Sequence, residues 1–166
     1  MMTKIFLSVG RAATTEQGSF VEAVEELLKE YHLQPRTIGR TDFTTEKPLK
    51  KILSVMKSCS GTVIIAFERF NYEHGVELRG GPEETSLTNV SLPTVWNQVE
   101  AGMAYALNHP LLAIAETNLH NEGLLEDGYD WFINWVELTP ASLRSVEFIS
   151  TFEKWVKNVE KYGGDK

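Results

Sequence analysis

Short apolar runs typical of buried strands alternate along this chain with amphipathic helical patterns, and no turn signal typical of a hairpin joins two of the strands. Parallel neighbours in a sheet require crossover connections, which helices usually provide. The alternation therefore predicts an α/β fold, namely a doubly wound, five-stranded parallel sheet of the flavodoxin-like kind, flanked by helices. In such a sheet the ligand crevice lies beyond the carboxyl ends of the strands.

The positions of the apolar residues predict five strands and four helices. The strands are predicted at Lys4 to Val9, Pro35 to Ile38, Thr62 to Phe67, Leu111 to Ala115 and Phe132 to Leu138. The helices are predicted at Phe20 to Tyr31, from Leu49 to before Gly61, from Pro93 to Asn108 and from Val146 to Tyr162. Ser19 and Glu22 have the spacing of a capping box, which places the start of the first helix there.

Residues 70–92 break this alternation with several glycines, a proline and acidic residues. Connections of this length are uncommon in compact domains and are usually functional or disordered. We predict one domain over residues 1–166, in which residues 70–92 form a lid or a flexible insertion.

The charge balance excludes several classes of partner. The chain carries 16 Lys and Arg against 23 Asp and Glu, a formal net charge of -7. Nucleic acids and anionic lipid surfaces usually require a positive field, so neither is an expected partner. No apolar run could span a bilayer, and the N-terminal apolar run is too short for a signal-peptide core. The single cysteine, Cys59, cannot form a disulfide within the chain, which fits a reducing compartment. We therefore predict a cytoplasmic protein.

The third helix carries the main functional candidate, Glu100. At about 100° per residue, a continuous apolar arc lies beside it, and the small residues Ala101, Gly102, Ala104 and Ala106 are expected to let the helix press closely on the sheet. That arc comprises Val95, Trp96, Val99, Gly102, Met103, Ala106 and Leu107. Glu100 falls at its border, where we expect a partly desolvated carboxylate facing the rim beyond the third strand.

A carboxylate in that position has a plausible chemical role. Beside an anomeric carbon it can act as a nucleophile or stabilise an oxocarbenium-like transition state while a base departs. Burial would raise its pKa and the nearby helix amino end would lower it, so the residues leave the sign of the shift open. The alternative is a Glu that solvates the edge of the helix.

Two families resemble this chain around Glu100. The segment from Glu100 to Ile114, EAGMAYALNHPLLAI, resembles the Glu-x-Gly-x-Ala-x-Ala-Leu-x-x-Pro pattern of nucleoside deoxyribosyltransferases, in which that Glu is the nucleophile. Trp96-Asn-x-x-Glu100 is similar to the Trp-Cys-x-x-Glu of TIR (Toll/interleukin receptor) domains, in which the Glu is essential for NAD cleavage. The strings IFLSVGR and KPLKKILSVMKSCSGTVIIAF resemble the TIR layout of a first strand, a loop-helix unit and a third strand.

The resemblance implies a TIR-like enzyme that cleaves the N-glycosidic bond of a nucleotide, with Glu100 as catalytic carboxylate. It further implies NAD as substrate, a role in immune signalling, and a homo-oligomer that assembles through the loop Gly39 to Glu46. Two positions depart from the family patterns: Thr94 stands where deoxyribosyltransferases place an aspartate, and Asn97 replaces the TIR cysteine. A nucleoside or deoxynucleotide hydrolase or transferase, and a non-catalytic nucleotide-binding or self-assembling module, remain as alternatives.

Further candidates for substrate binding lie at the predicted rim. Gly10 and Arg11 offer backbone N–H groups and a guanidinium to a phosphate. Asp42 is placed to contact a ribose hydroxyl, or else to cap a turn. Glu68 and Arg69 follow the strongest strand, where they orient a ligand or pair with each other.

Two further side chains come from the third helix itself. Trp96 is placed to stack on a base or to belong to the core, and Asn97 accompanies it in the TIR-like motif. If Glu100 is catalytic, it should open into a cleft shared with Trp96 and the Gly10–Arg11 turn.

Metal and cofactor chemistry is not expected. The four histidines are scattered and form no close ligand pair with Cys59, and the chain has neither a Gly-x-Ser-x-Gly elbow nor a P-loop. NAD enters the hypothesis only as a substrate. Its approach to an acidic protein would need a locally positive mouth, which Arg11, Arg40, Arg69 and Arg79 are placed to provide.

Overall fold

Seven strands and four α-helices follow one another in the computed structural model, which describes residues 2–42 and 48–164. The strands are β1 (Thr3–Val9), β2 (Leu33–Arg36), β3 (Thr62–Ala66), β4 (Phe70–Glu77), β5 (Thr85–Leu92), β6 (Leu111–Glu116) and β7 (Phe132–Val136). The helices are α1 (Thr15–Glu30), α2 (Pro48–Lys57), α3 (Val95–Ala106) and α4 (Val146–Gly164). Short 3₁₀ turns occur at Gly123–Leu125 and Pro140–Arg144.

Five of the strands form one parallel sheet in the order β2-β1-β3-β6-β7. This order is the flavodoxin-like arrangement and confirms the predicted fold class. The strand order reverses at β1 and β3, so the carboxyl ends of these two strands border the crevice in which α/β proteins bind their ligands.

Two hydrophobic layers cover the sheet, because side chains alternate between its faces. On β1, Ile5 and Leu7 pack with α1 and α4 on one face, and Phe6 packs with α2 and α3 on the other. All five residues of β3 are buried, as expected for a central strand that is covered on both sides.

The first helix begins at Thr15, five residues before the Phe20 that the Ser19–Glu22 capping box predicts. Thr14 is the actual N-cap, and its side chain accepts a hydrogen bond from the Gln17 backbone N–H at 3.2 Å. The Gln17 side-chain amide bonds the Ala13 N–H and the Glu68 carbonyl, which ties the start of α1 to the loop after β3. A capping box of this kind, Thr14 with Gln17, was available further upstream.

Residues 70–92 form an antiparallel hairpin of β4 and β5, where the sequence analysis expected no strand. Most of its side chains are exposed, and a bridge between Ser91 and Leu119 links its base to the rest of the domain. Its turn, residues 78–84, is longer than the two-residue turns that give a clear hairpin signal in sequence. Whether the hairpin moves as a lid stays a prediction.

The loop predicted to mediate assembly, Gly39 to Glu46, lies partly outside the described residues. Within the part of the chain that the structure describes, no helix is long and apolar enough to cross a membrane.

Candidate active site

A cleft of about 340 Å³ opens at the carboxyl end of β1, against the first turns of α3. It lies at the point where the strand order reverses, as expected for the ligand crevice of this fold. Its lining consists of Ser8, Val9, Gly10, Arg11, Ile38, Ile52, Arg69, Thr94, Trp96, Asn97 and Glu100.

Helix α3 directs Glu100 into this cleft. Thr94 caps the helix by accepting a hydrogen bond from the Trp96 N–H at 3.4 Å, and the residues that face inward are Asn97, Glu100, Ala101 and Ala104. Of the small residues predicted to press on the sheet, Ala101 and Ala104 are buried, whereas Gly102 and Ala106 are exposed. Val95 and Val99 of the apolar arc are also exposed.

The small residues of the sheet explain why Ala101 and Ala104, and not the larger residues of the apolar arc, face inward on α3. The strand residues facing the helix include Ala66, Ala113 and Ala115, which belong to the same buried cluster as Ala101 and Ala104. Alanine on both sides lets helix and sheet approach closely. The larger residues of the arc would hold the helix farther from the sheet.

Glu100 is only 8% exposed, and burial raises its pKa from 4.5 to about 7. A hydrogen bond from the Ser8 hydroxyl works in the opposite direction and lowers the pKa by a smaller amount. Desolvation thus decides the sign that the sequence left open. Near neutral pH this carboxyl exists in both protonation states, which suits a group that must accept or stabilise positive charge.

Ser8 is held in place by a second buried residue. The Asn97 Nδ2 donates a hydrogen bond to Ser8 Oγ at 2.9 Å, so the Ser8 hydroxyl hydrogen is directed to Glu100. The Asn97 Oδ1 is buried and has no hydrogen-bond partner among the described residues. Asn97 therefore supports the geometry of Glu100 from the helix turn before it.

The predicted residues of the rim converge in part. Gly10, Arg11, Arg69 and Trp96 line the cleft together with Glu100. A Cβ added at Gly10 would lie 3.3 Å from Thr94 Cγ2, so the glycine allows β1 to end close to the start of α3. Arg69 lies over the Phe70 ring, with 5.9 Å from its Cζ to the ring centroid.

Two predicted residues lie outside this cleft. Asp42 is buried and forms a two-point ion pair with Arg36, whose guanidinium holds the pKa of the Asp42 carboxyl below its usual range. Glu68 accepts a hydrogen bond from Ser91 Oγ at 2.5 Å, and its backbone N–H donates to Glu116. Their roles in substrate binding stay predictions.

A neighbouring cleft of about 400 Å³ shares four lining residues with the first: Val9, Gly10, Arg11 and Ile38. It extends toward Thr37, Gly39 and Arg40 at the end of β2. Arg40 also pairs with Glu25 at 3.1 Å, and Arg79 lies in the exposed hairpin turn and lines neither cleft. Of the four arginines considered for a positive mouth, Arg11 and Arg69 are the ones that reach Glu100's cleft.

Sequence reasoning missed Ser8 and Thr94 as site residues. In the sequence Ser8 looks like any other residue of the first strand, although its position near the carboxyl end of β1 could have indicated a place at the ligand crevice.

Across residues 2–42 and 48–164, no group of three or more His, Cys, Asp or Glu side chains could hold a metal ion. The predicted absence of a metal and a cofactor stays a prediction.

Comparisons with known proteins define the fold of the chain. No protein-family model matches it, and no curated protein matches it either. Among solved structures it is similar to the CMP N-glycosidase BcmB of Clostridium botulinum, at 11% identity and a TM-score of 0.52, over 92% of this chain and 99% of that one. A conserved protein from Enterococcus faecalis V583 aligns over 100% of both chains at 15% identity and a TM-score of 0.40. The likeness to BcmB shows a common fold.

Proposed function

We propose that this chain cleaves the N-glycosidic bond of a nucleotide, with Glu100 as the catalytic carboxylate. The observation that carries the proposal is the buried Glu100 at the ligand crevice, with a pKa raised to about 7. A similar fold belongs to a CMP N-glycosidase, which makes this chemistry compatible with the scaffold. The likeness concerns the fold alone, so the proposal rests on the site.

The reaction uses the groups of the cleft in distinct roles. The bond between the anomeric carbon and the base breaks, the base leaves with the electron pair, and positive charge develops on the ribose. The Glu100 carboxylate stabilises that charge or forms a transient bond to the anomeric carbon. Water attack then completes hydrolysis and releases a proton.

Trp96 and the arginines would position the substrate. Trp96 is half-exposed at the wall of the cleft, where its ring offers a stacking surface for a base. Arg11 and Arg69 offer guanidinium groups to phosphate oxygens, which suit bidentate contacts. Holding the ribose against Glu100 lowers the barrier, because the reacting groups are already oriented when the reaction begins.

Within this class we propose NAD as the substrate. Its nicotinamide is attached through a positively charged glycosidic nitrogen, which takes the electron pair of the broken bond and becomes neutral, so departure of the base requires no proton donor. The adjoining cleft toward Arg40 supports a ligand with two nucleotide halves, because the clefts meet at Gly10 and Arg11. Hydrolysis would give ADP-ribose, and attack by an internal nucleophile would give a cyclic product.

A mononucleotide or nucleoside hydrolase or transferase is the second candidate. The cleft at Glu100 is a bounded space of about 340 Å³, at the small end of the usual range for ligand sites. This size favours a single base and ribose. The third candidate is a module that binds a nucleotide or self-assembles without catalysis, for which burial of Glu100 has no evident use.

The experiment incubates the purified chain with NAD, CMP and a panel of nucleosides and follows the free base by chromatography. We expect base release that falls at least about 100-fold in Glu100→Gln, the size of loss typical for a group acting in the transition state. The control is Glu137→Gln, which makes the same change of charge at an exposed carboxylate bonded to Thr117.

The outcomes separate the candidates. Release from NAD alone supports the NAD proposal, and release from CMP or a nucleoside supports the second candidate. Base release that persists in Glu100→Gln would remove this residue from the mechanism. No release from any substrate at high protein concentration, with the assembly state measured in the same samples, would favour the non-catalytic module.

A further inference from the structure

A second cleft, of about 360 Å³, lies beside the C-terminal half of α3 and shares none of its described lining residues with the cleft of Glu100. Three aromatic side chains, Tyr105, Tyr129 and Trp131, line it together with small and apolar residues. Its volume lies within the range of about 300–1,000 Å³ that is usual for small-molecule sites. This space, here called the aromatic cleft, is therefore large enough for a small organic molecule.

The three aromatic rings contact one another around Trp131. The rings of Tyr129 and Trp131 stack, with 4.5 Å between their centroids and 12° between their planes. The Tyr105 ring stands at 76° to that of Trp131, with 5.7 Å between the centroids. Tyr105 and Tyr129 are each 53% exposed, so a ligand can reach their rings. The wall therefore presents aromatic rings in two directions, and the face of an aromatic ring attracts cations.

The polar groups of the aromatic cleft are already engaged. Gln98 Nε2 donates to the Glu122 carbonyl at 3.1 Å, and Gln98 Oε1 accepts from the Leu124 N–H at 2.8 Å. The indole N–H of Trp131 donates to the Leu124 carbonyl at 3.0 Å. Of the described residues that line the cleft, none is Lys, Arg or His. A phosphate or a carboxylate would therefore find no basic side chain in its walls.

A carboxylate is held at the edge of the aromatic cleft. Glu126 Oε1 accepts a hydrogen bond from the Gly123 N–H at 2.7 Å, and Glu126 Oε2 accepts one from the Tyr129 hydroxyl at 3.4 Å. Gly123 and Tyr129 both line the cleft. Within the part of the chain that the structure describes, Glu126 forms no ion pair with Lys or Arg. Its negative charge is therefore not neutralised by a basic side chain.

The sequence that forms the aromatic cleft is acidic throughout. From Gly80 to Leu143 the chain has nine Asp and Glu residues and no Lys or Arg. All 16 Lys and Arg of the chain lie outside this stretch. Every described residue that lines the aromatic cleft belongs to it. The charge distribution along the chain therefore favours a cation at this cleft.

We propose that the aromatic cleft binds a small organic cation of the quaternary ammonium class. The apolar groups on such a nitrogen pack against aromatic rings, and its charge is attracted to the ring faces. The charge also complements Glu126 and the acidic stretch that forms the cleft. A quaternary nitrogen has no N–H to donate, which matches a wall whose acceptors are already engaged.

Other ligands match the aromatic cleft less well. A primary ammonium ion donates three hydrogen bonds, whereas the Gln98 Oε1 and the Leu124 carbonyl of the wall already accept bonds. A divalent cation needs several oxygen ligands, and among the described side chains the contacts fix the Glu126 carboxylate alone at this edge. A neutral molecule of the same shape would fit the walls but would gain nothing from the acidic surroundings.

The test follows the binding of choline to the full chain by NMR. The indole N–H signal of Trp131, identified by its loss in Trp131→Phe, reports on the aromatic cleft. The comparison ligand is the neutral alcohol in which a carbon atom replaces the quaternary nitrogen of choline, here called the carbon isostere. We expect choline to shift the Trp131 signal and to bind with a Kd at least about 10-fold below that of the carbon isostere.

Two substitutions at Tyr129 separate the ring from the hydroxyl. Tyr129→Leu removes an aromatic ring at an exposed position and should raise the Kd for choline at least about fivefold. Tyr129→Phe is the matched control, because it keeps the ring, and its Kd should stay within about twofold of the wild type. Equal affinity for choline in Tyr129→Leu and in the wild type would overturn the proposal.

Glu126→Gln tests the carboxylate. The amide keeps an oxygen for the Gly123 N–H and loses the charge, so we expect the Kd for choline to rise about 3–10-fold and that for the carbon isostere to stay unchanged. The control is Glu137→Gln, which removes a charge from the same acidic stretch but does not line the cleft. Equal weakening by both variants would mean that overall charge attracts choline, which would overturn a local site.

Two further results would overturn the proposal. One is a Trp131 signal that does not move at choline concentrations in the high millimolar range. The other is an equal Kd for choline and for the carbon isostere. The proposal does not rest on the proposed function: base release that depends on Glu100 can persist without choline binding, and choline binding can persist in Glu100→Gln, so the two failures are distinguishable.

Discussion

Glu100 lies in surroundings that favour its protonated form. It is buried, its pKa is raised to about 7, and the Ser8 hydroxyl offsets only part of the desolvation. Between pH 4.5 and 7 the folded chain therefore holds more protons at this position than the unfolded chain. Stability falls as pH rises through this window, because ionising Glu100 then opposes folding.

This linkage predicts that Glu100→Gln stabilises the fold at alkaline pH. Above pH 7 the wild type contains a buried, desolvated carboxylate, which destabilises the fold, whereas the variant has a neutral amide there. We expect the free energy of unfolding to rise by up to about 3 kcal/mol in Glu100→Gln. Below pH 4.5 the two proteins should have nearly equal stability. Urea unfolding at pH 8 and pH 4 measures the difference, with Glu137→Gln as control. A gain of equal size at both pH values would contradict the linkage.

Ser8 is the second residue whose effect can be measured. Its hydrogen bond lowers the pKa of Glu100, so Ser8→Ala should raise that pKa further above 7. If Glu100 acts as a carboxylate, the midpoint of the pH profile of kcat/KM for base release moves to higher pH.

The control for this prediction is Ser58→Ala, which removes a hydroxyl that bonds the Val55 carbonyl on α2. It should leave the midpoint in place. An unchanged midpoint in Ser8→Ala would show that this hydroxyl does not tune Glu100.

Sequence reasoning reached Glu100 through its place on a helix that follows the central strand. The sequence did not indicate which residues hold the Glu100 side chain in place. Asn97 and Ser8 are 89 residues apart and meet only because β1 and α3 are neighbours in the folded chain. Asp42 was placed at the rim from its loop position, and its pairing with Arg36 depends on side-chain directions that no periodicity encodes.

At the scale of elements, the parallel strands were the most predictable feature. Thr62–Ala66 and Leu111–Glu116 are continuous apolar runs, which is the pattern of strands covered on both faces. Helix α3 was predicted only in part: Ala101 and Ala104 face the sheet as expected, whereas hydrophobicity alone assigns the exposed Val95 and Val99 to the core. The hairpin of β4 and β5 was missed because its exposed strands have no apolar face to reveal them.

Replacing glycine by alanine should have opposite effects on stability at Gly61 and at Gly18. A Cβ at Gly61 would lie 2.7 Å from Val159 Cγ2, so Gly61→Ala forces the loop before β3 away from α4 and should destabilise the fold by about 1–3 kcal/mol. Gly18 lies inside α1, where a Cβ meets nothing within 4 Å, so Gly18→Ala should stabilise by about 0.5–1 kcal/mol.

Thermal and urea unfolding of the two variants measures both signs, and each variant is the control for the other. A Gly61→Ala protein as stable as the wild type would mean that α4 shifts to accept the methyl group at no cost.

At the scale of the whole molecule, the excess of acidic residues works against an anionic substrate. With 16 basic against 23 acidic residues, the chain needs local positive charge where phosphate binds. Arg11 and Arg69 provide it at the cleft of Glu100, whereas Arg36 and Arg144 are committed to carboxylates elsewhere.

We therefore expect Arg11→Gln to raise KM about tenfold for a nucleotide substrate, as the loss of one charge-assisted contact would, and to leave KM for a nucleoside unchanged. Arg79→Gln changes the net charge equally but lies outside the cleft, so it should affect neither. Equal effects of the two variants would mean that overall charge, and not a local contact, governs binding.

The proton on Glu100 also makes ligand binding a measurable proton-transfer event. At pH 7 part of the Glu100 population is protonated, since burial raises its pKa to about 7. A ligand whose positive charge lies against the carboxylate would therefore release a fraction of a proton into the buffer on binding. Its calorimetric enthalpy would then vary with the ionisation heat of the buffer, whereas a neutral nucleoside would give the same enthalpy in every buffer.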